Sequence, residues 1–102
     1  MKNITVQELK KRLDNGEKLN IIDVREPEEY AEMNINAKLI PLGQIMSMQI
    51  DELDGLQNEE LIIHCRSGKR SMQAGMMLET AGFTNCVNVE GGILAWNEMM
   101  NK

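Results

Sequence analysis

The chain has 102 residues, of which 42% are hydrophobic and 26% are charged, a composition that predicts a single globular domain rather than a disordered chain. It contains 11 lysines and arginines and 16 aspartates and glutamates, and the resulting net charge of −5 argues against nonspecific binding to nucleic acid or to an anionic membrane. No apolar run approaches the roughly 18 residues of a membrane span, and the first residues lack the apolar stretch of a signal peptide, so we expect a cytoplasmic protein.

The first half of the chain alternates short strand patterns with helical patterns. Thr5 and Glu8 form a capping box that predicts the start of a first helix, and Gly16 predicts its end. Residues 19–24 are apolar without alternation, which is typical of a strand buried on both faces. Pro27 suits the first turn of a second helix. A weak strand at 39–41 and a helix over 42–53, interrupted by glycine and serine, are expected next.

The second half gives the stronger signals. Residues 61–64 are the clearest strand, and a helix that ends near Ala81 follows the loop after it. Another apolar strand at 86–89 precedes a tight Gly-Gly turn and a last helix over 93–100. Strands that alternate with helices in this way indicate an α/β fold, in which a parallel sheet carries helices on both faces.

The loop after the clearest strand has the composition of a reactive site. Cys65 ends that strand, and the helix that follows offers free amides and the positive end of its dipole. Arg66, Lys69 and Arg70 add three positive charges, and Gly68 suits a turn that points backbone amides inward. Because such surroundings lower the pKa of a thiol, we expect Cys65 to be a thiolate nucleophile. The alternative is a small apolar residue that closes a strand.

Three segments resemble, in order, the signatures of single-domain rhodaneses. They are D-V-R-E-P-E-E-Y at 23–30, C-R-S-G-K-R-S at 65–71 and G-G-I-L-A-W at 91–96. The resemblance extends from Ile4 to Trp96. It implies that residues 1–102 form a single rhodanese-like domain, an α/β fold built on a five-stranded parallel sheet.

The resemblance also implies an activity, sulfurtransfer. Cys65 would take sulfane sulfur from a small anionic donor such as thiosulfate, carry it as a persulfide, and hand it to a thiol or cyanide. The thiol acceptor can also belong to a sulfur-relay protein, since transfer of sulfur between proteins is a variant of the same chemistry. No cofactor and no metal are implied. The substrate-binding residues, whose backbone amides cradle the persulfide and whose arginines hold the donor, would be Arg66, Ser67, Gly68, Lys69 and Arg70.

One stretch departs from the family pattern. After the D-V-R segment the family commonly shows Gly-His-Ile, then alanine and Ile-Pro, whereas this chain has M-N-I-N-A at 33–37 and is one residue short. The path into the third strand is therefore not predicted by the resemblance.

Two other functions remain open at this point. A phosphatase or arsenate reductase also uses a cysteine loop that ends in arginine, but with five residues between the two, whereas four separate Cys65 from Arg70. A phosphoryl group needs donors for several oxygens, so the shorter loop favours a single sulfur atom. A non-catalytic binding module on the same fold would have no physical need for Cys65 and its cations.

Several polar residues near the site have structural interpretations. His64 precedes Cys65, but neighbouring strand residues point to opposite faces, so we expect a buried, hydrogen-bonded histidine rather than a base for the thiol. Arg25 is expected to pair with Glu28 or Glu29 rather than to bind anions. Trp96 is expected to anchor the last helix on the core.

The sulfur-containing residues give two further expectations. Cys65 and Cys86 lie at opposite ends of predicted parallel strands, on the order of 13 Å apart, whereas a disulfide needs Cα atoms within ~7 Å. We therefore expect two free thiols, and their spacing does not suggest a zinc site. The nine methionines, among them Met72 and Met76 at helical spacing, are expected to fill gaps in the core.

Overall fold

The computed structural model describes residues 1–102 and contains five strands and five α-helices in alternation. The strands are β1 (Lys2–Ile4), β2 (Asn20–Asp23), β3 (Lys38–Leu39), β4 (Leu61–His64) and β5 (Cys86–Val89). The helices are α1 (Val6–Asp14), α2 (Pro27–Glu32), α3 (Leu42–Met46), α4 (Lys69–Thr80) and α5 (Gly92–Met100). A turn of 3-10 helix follows α3 at Asp51–Leu53.

All five strands are parallel and form one sheet in the order β1-β5-β4-β2-β3. β4 is the central strand, and its first residue Leu61 pairs with Asn20 on one side and with Cys86 on the other. The five-stranded parallel sheet expected from the sequence is confirmed. Because the strands run the same way, the segments that follow β2, β4 and β5 meet at one edge of the sheet, where ligands bind in open α/β folds.

Helices cover both faces of the sheet, as the alternating pattern predicts. On one face the sheet packs against α3 and α4, through the buried side chains of Ile22, Leu61, Ile63, Ile45, Ala74 and Leu78. The other face packs against α1 and α5, through Ile62, Val87, Val6, Leu9 and the half-buried Trp96. The expected role of Trp96 as an anchor for the last helix is thus confirmed. None of the helices combines the length and the apolar composition that a membrane crossing requires.

The helix ends follow local hydrogen bonding. α1 begins at the predicted capping box, in which Thr5 Oγ1 accepts from the Glu8 amide at 3.1 Å and the Glu8 carboxylate accepts from the Thr5 amide at 3.2 Å. The helix expected over 42–53 is correct only for α3. The Ser47 hydroxyl donates back to the Gly43 carbonyl at 2.9 Å, and Met48 then takes a left-handed conformation with φ 61°.

Most of the methionines do not fill the core, and for them this expectation was wrong; only Met77 and Met99 are half-buried and pack against it. Seven of them are between 37% and 59% exposed, Met72 and Met76 among them. The face of α4 that contacts the sheet carries smaller or branched residues instead, Ser71, Ala74 and Leu78. Spacing of four residues shows that two side chains share a helix face, but it does not show which face is buried.

The stretch that departs from the family pattern forms a turn built on asparagines. Asn34 accepts from the Asn36 amide at 2.9 Å and donates to the Tyr30 carbonyl at 3.0 Å. Asn36 has φ 62°, a left-handed conformation that asparagine tolerates. Tyr30 then donates its hydroxyl to the Ala37 carbonyl at 2.7 Å, which ties α2 to the start of β3.

Candidate active site

Cys65 follows the last residue of the central strand and is 1% exposed. Its side chain belongs to the core beneath α4, while its backbone begins the loop that leads into that helix. Gly68 precedes α4 with φ 107°, which is in the region that glycine alone adopts readily. This conformation turns the Gly68 amide back toward the cysteine, and the nitrogen donates to Cys65 Sγ at 3.1 Å.

The surroundings of Sγ favour the thiolate. Burial raises the pKa of the Cys65 thiol, but the hydrogen bond with the Ser71 hydroxyl and those from the backbone amides of Ser71, Gly68 and Ser67 outweigh burial. The pKa therefore lies below its ordinary value, in the direction that the sequence predicts. Fixed amides of the loop and of the first turn of α4, rather than the three cations, supply the contacts to sulfur.

Two residues of this site were missed by sequence reasoning. Ser71 Oγ lies 3.4 Å from Cys65 Sγ, and it also contacts the Gly68 carbonyl at 3.1 Å. The same hydroxyl contacts the side-chain amide of Asn88, which is buried in β5. The sequence carries a signal for Asn88, because an asparagine inside the apolar strand C-V-N-V needs a polar partner.

The start of α5 holds the cysteine loop from the other side. The amides of Ile93 and Leu94 donate to the carbonyls of Cys65 and Arg66 at 2.9 and 3.1 Å. Gly92 has φ 55°, and a β-carbon on it would lie 2.5 Å from the Cys65 carbonyl oxygen and 2.6 Å from that of Arg66. The Gly-Gly turn thus allows a close approach of two backbone segments.

The two arginines expected to hold the donor are placed differently. Arg70 donates to both oxygens of the Glu29 carboxylate, at 2.7 and 2.9 Å, and so joins α4 to α2. The hydrogen bond from Arg70 holds the pKa of Glu29 at about 2, well below its usual value. Arg66 is exposed, and no carboxylate lies within ion-pair distance of it. Lys69 is also exposed.

A cavity of about 290 Å³ lies beside the cysteine loop, between α2 and α5. Two arginines, Arg66 and Arg25, line it together with two acidic residues, Glu29 and Glu32. The rest of its wall is Asn97 and the three apolar residues Met33, Ile93 and Leu94. A larger apolar cavity of about 530 Å³ lies where β2, β3 and β4 begin, and none of the loop residues lines it. The smaller cavity is therefore the one that adjoins the cysteine loop, through Arg66.

A buried ionic cluster lies under this edge of the sheet, and it corrects the expectation for Arg25. Arg25 does not pair with the side chain of Glu28 or Glu29. Its guanidinium donates to the carboxylate of Asp23, at 2.8 Å from Nη2, and to the Met33 carbonyl at 2.6 Å. Asp23 and Arg25 are 0% and 4% exposed. Because a buried charge is stable only when it is paired, the two side chains pair with each other.

His64 lies in the same cluster, away from the sulfur. It pairs in register with Asp23, and its Nε2 is 3.6 Å from the Asp23 carboxylate without forming a hydrogen bond. Its Nδ1 lies 3.4 Å from the Cys65 carbonyl oxygen. Burial lowers the pKa of His64, so the ring is neutral near pH 7. The expected burial is confirmed, and the ring does not contact Sγ.

Cys86 lies at the opposite end of the sheet from the reactive loop. It pairs in register with Leu61, four residues before Cys65, as the predicted strand order requires. Both cysteines are free. Burial raises the pKa of Cys86 to about 11, so this thiol is the unreactive one. No group of three or more histidine, cysteine or acidic side chains is arranged to hold a metal ion.

Comparison with known proteins now identifies the class. The model of the rhodanese-like domain family matches residues 5–99, and the chain belongs to this family.

Individual relatives agree with that assignment. The chain is 42% identical over 97 residues to the putative sulfurtransferase YtwF of Bacillus subtilis, a match that covers 94% of this chain and 90% of that protein. It is 39% identical over 99 residues to the probable adenylyltransferase/sulfurtransferase MoeZ of Mycobacterium tuberculosis, where it covers 95% of this chain but only 25% of the longer protein. A rhodanese-like domain protein from Staphylococcus aureus superposes with a TM-score of 0.83 at 41% identity, over 94% of this chain and 91% of the other.

Proposed function

We propose that this chain is a sulfurtransferase that carries sulfane sulfur as a persulfide on Cys65. The observation that carries the proposal is the set of donors around Sγ, in which three backbone amides and one hydroxyl favour a negative charge on a buried sulfur. An anionic sulfur in a water-poor cradle is a strong nucleophile toward another sulfur. Relatives named as sulfurtransferases support the general activity.

In the first step the Cys65 thiolate attacks the outer, sulfane sulfur of thiosulfate. A bond forms between Sγ and that sulfur, the bond from that sulfur to the sulfonate breaks, and sulfite leaves with the electron pair. The negative charge then resides on the outer sulfur of the persulfide. In this proposal the amides of Ser67, Gly68 and Ser71, which donate to Cys65 Sγ, also stabilise this charge, as an anion nest does.

The donor binds through Arg66 in this proposal. Its guanidinium lines the cavity next to the loop and is not paired with a carboxylate, so it is free to donate to sulfonate oxygens. Arg70 contributes less, because Glu29 already accepts its hydrogen bonds. Of the five residues assigned to substrate binding, Ser67 and Gly68 act through their amides and Lys69 adds a nearby exposed charge.

In the second step a nucleophile attacks the outer sulfur of the persulfide, the S–S bond breaks, and the Cys65 thiolate is regenerated. Cyanide would leave as thiocyanate, and a thiolate acceptor would leave as a persulfide. We assign the cavity of about 290 Å³ to a small thiol acceptor, and a protein thiol that approaches the loop would react by the same chemistry. One relative is named a putative sulfur carrier protein, which supports a relay as the setting.

The structure offers no observation in favour of the phosphatase alternative. The guanidinium of Arg70, which a phosphate would need as a donor, already donates to both oxygens of the Glu29 carboxylate. The binding module is disfavoured because the buried sulfur keeps a full set of donors.

The test measures thiocyanate formation from thiosulfate and cyanide, beside hydrolysis of an aryl phosphate. We expect sulfur transfer by the native chain, its loss in Cys65→Ser, and its retention in the matched control Cys86→Ser. Mass spectrometry after thiosulfate treatment should find one added sulfur atom on Cys65. Phosphate hydrolysis without sulfur transfer, or sulfur transfer that survives in Cys65→Ser, would contradict the proposal.

A further inference from the structure

A chain of side-chain hydrogen bonds runs from the reactive sulfur to the exposed edge of the sheet. Ser71 Oγ contacts Cys65 Sγ at 3.4 Å and the amide oxygen of Asn88 on its other side. The amide nitrogen of Asn88 donates to the side-chain oxygen of Asn3 at 3.1 Å. Asn88 is 3% exposed, whereas Asn3, its register partner on the edge strand β1, is exposed.

The Ser71 hydroxyl has only one hydrogen, and three acceptors surround it. They are the Gly68 carbonyl, the Asn88 amide oxygen and, when Cys65 is ionised, the thiolate. While the hydrogen points to Asn88, a lone pair of the hydroxyl faces the sulfur, an arrangement that suits a thiol whose S–H donates to Ser71. The thiolate has no hydrogen, so it is stabilised only when the hydroxyl turns toward it.

The hydroxyl can turn without leaving a buried polar group unpaired only if the Asn88 amide turns as well. Rotation of the amide by 180° presents its NH₂ group to Ser71 Oγ and its oxygen to Asn3. Asn3 must then donate, and its own amide can do so by the same rotation. The whole chain thus has two directions, one that suits the thiol and one that suits the thiolate.

We propose that Asn88 is a positioning residue that orients the Ser71 hydroxyl toward the Cys65 thiolate, and that Asn3 sets the direction of this chain from the sheet edge. The inference rests on the proposed function only for its last step. When Sγ becomes the inner, uncharged sulfur of a persulfide, the hydroxyl is released to Asn88. Asn88 therefore stabilises the attacking form of the cysteine without adding to the stability of the loaded form.

The other titratable groups near Cys65 are not part of this chain. Arg70 of α4 is paired with Glu29 of α2, and the His64 ring of β4 contacts the Cys65 carbonyl oxygen. β5 contributes Asn88, and α5 contributes the Ile93 amide, neither of which titrates. Variants at Asn3 leave all these contacts in place.

The decisive variant changes the exposed end of the chain and leaves the core intact. Asn3→Asp replaces the amide at position 3 by a carboxylate, which can only accept hydrogen bonds. The Asn88 NH₂ group must then donate to this carboxylate, and the Asn88 amide oxygen must face Ser71. The hydroxyl is then held away from the sulfur. The matched control is Lys2→Gln, because it also lowers the net charge by one at the neighbouring exposed position of β1.

The readout is the rate of iodoacetamide alkylation of Cys65 against pH, without a sulfur donor. We expect Asn3→Asp to raise the midpoint by about one pH unit, which is roughly tenfold less thiolate at a given pH below the midpoint. Lys2→Gln should leave the midpoint within a few tenths of a unit. In a Ser71→Ala background, which has a raised midpoint of its own, Asn3→Asp should add nothing.

Equal shifts in Asn3→Asp and Lys2→Gln would overturn the proposal, because they would show a general effect of charge. A full Asn3→Asp shift that persists in Ser71→Ala would overturn it as well, since the effect would not pass through the hydroxyl. Because alkylation needs no sulfur transfer, these outcomes are separate from the thiosulfate assay, whose failure would contradict the proposed function instead.

Discussion

Gly92 offers a sharp test of how the cysteine loop is held. A β-carbon at this position would meet the carbonyl oxygens of Cys65 and Arg66 at 2.5 and 2.6 Å, and both atoms belong to backbone that cannot rotate aside. Gly16 makes a matched control, because its φ of 79° is also left-handed but its β-carbon would meet nothing within 4 Å. Gly16→Ala therefore introduces strain alone, whereas Gly92→Ala introduces strain and a clash.

The expected magnitudes differ accordingly. A left-handed conformation destabilises a residue with a β-carbon by roughly 1–2 kcal/mol, which is the expected loss for Gly16→Ala. Overpacking against atoms that cannot move adds about 1–3 kcal/mol, so Gly92→Ala should lower the free energy of unfolding by about 2–5 kcal/mol. The clash also pushes the loop away from the Ile93 and Leu94 amides that bind it. Since a displacement on the order of 1 Å can reduce a rate ~10²-fold, kcat/KM for sulfur transfer should fall at least tenfold.

Urea unfolding of the two variants measures the first effect, and the thiosulfate assay measures the second under conditions where both variants are folded. Equal losses of stability in Gly16→Ala and Gly92→Ala would refute the reasoning, because close approach of the loop would then not be what requires glycine. So would a Gly92→Ala protein with native kcat/KM.

Three further predictions concern charge. Arg66→Ala should raise KM for thiosulfate roughly tenfold or more, because one charge-assisted hydrogen bond to the donor is lost. Unchanged kinetics would mean that the loop amides alone bind the donor. The pKa of Glu29 is about 2 in the folded chain, so its ion pair with Arg70 stabilises the fold fully above the usual carboxyl pKa. This stabilisation is lost as the pH falls toward 2. Glu29→Gln should therefore make the free energy of unfolding less dependent on pH in this range. Peptide mapping after brief iodoacetamide treatment at pH 8 should find Cys65 modified and Cys86 intact, and equal labelling would contradict the opposite pKa shifts.

Local sequence signals predicted the sheet because they are strongest where the chain is most buried. The runs at 61–64 and 86–89 became β4 and β5 with the same bounds, and every residue in both is buried. Signals at the surface were weaker guides. The spacing of Met72 and Met76 correctly places them on one face of α4, but that face is exposed. The face toward the sheet carries serine and alanine, so local hydrophobicity does not identify it.

The site was predicted as far as its contacts are local. Cys65 and Gly68 lie three residues apart, and the bond between them follows from the loop and the helix start. Glu29, the partner of Arg70, and Asn88, one of the partners of Ser71, lie 41 and 17 residues away along the chain, so only the folded topology brings these pairs together. Arg25 shows the same limit at short range. The sequence places several carboxylates within four residues of it, and Arg25 pairs with Asp23, the one that is fully buried.

These pairings change how the loop attracts an anion in a chain with a net charge of −5. The sequence shows three cations after Cys65, but folding engages Arg70 with Glu29 and leaves Arg66 and Lys69 in solvent, where salt screens them. The amides around Sγ carry no net charge, are fixed by the backbone, and act in a buried place where screening is weak. Electrolyte should therefore weaken the encounter with the donor while leaving the thiolate character of Cys65 nearly unchanged. In the proposed function, Arg66 therefore captures the donor, and the backbone amides around Sγ stabilise the charge that the reaction moves.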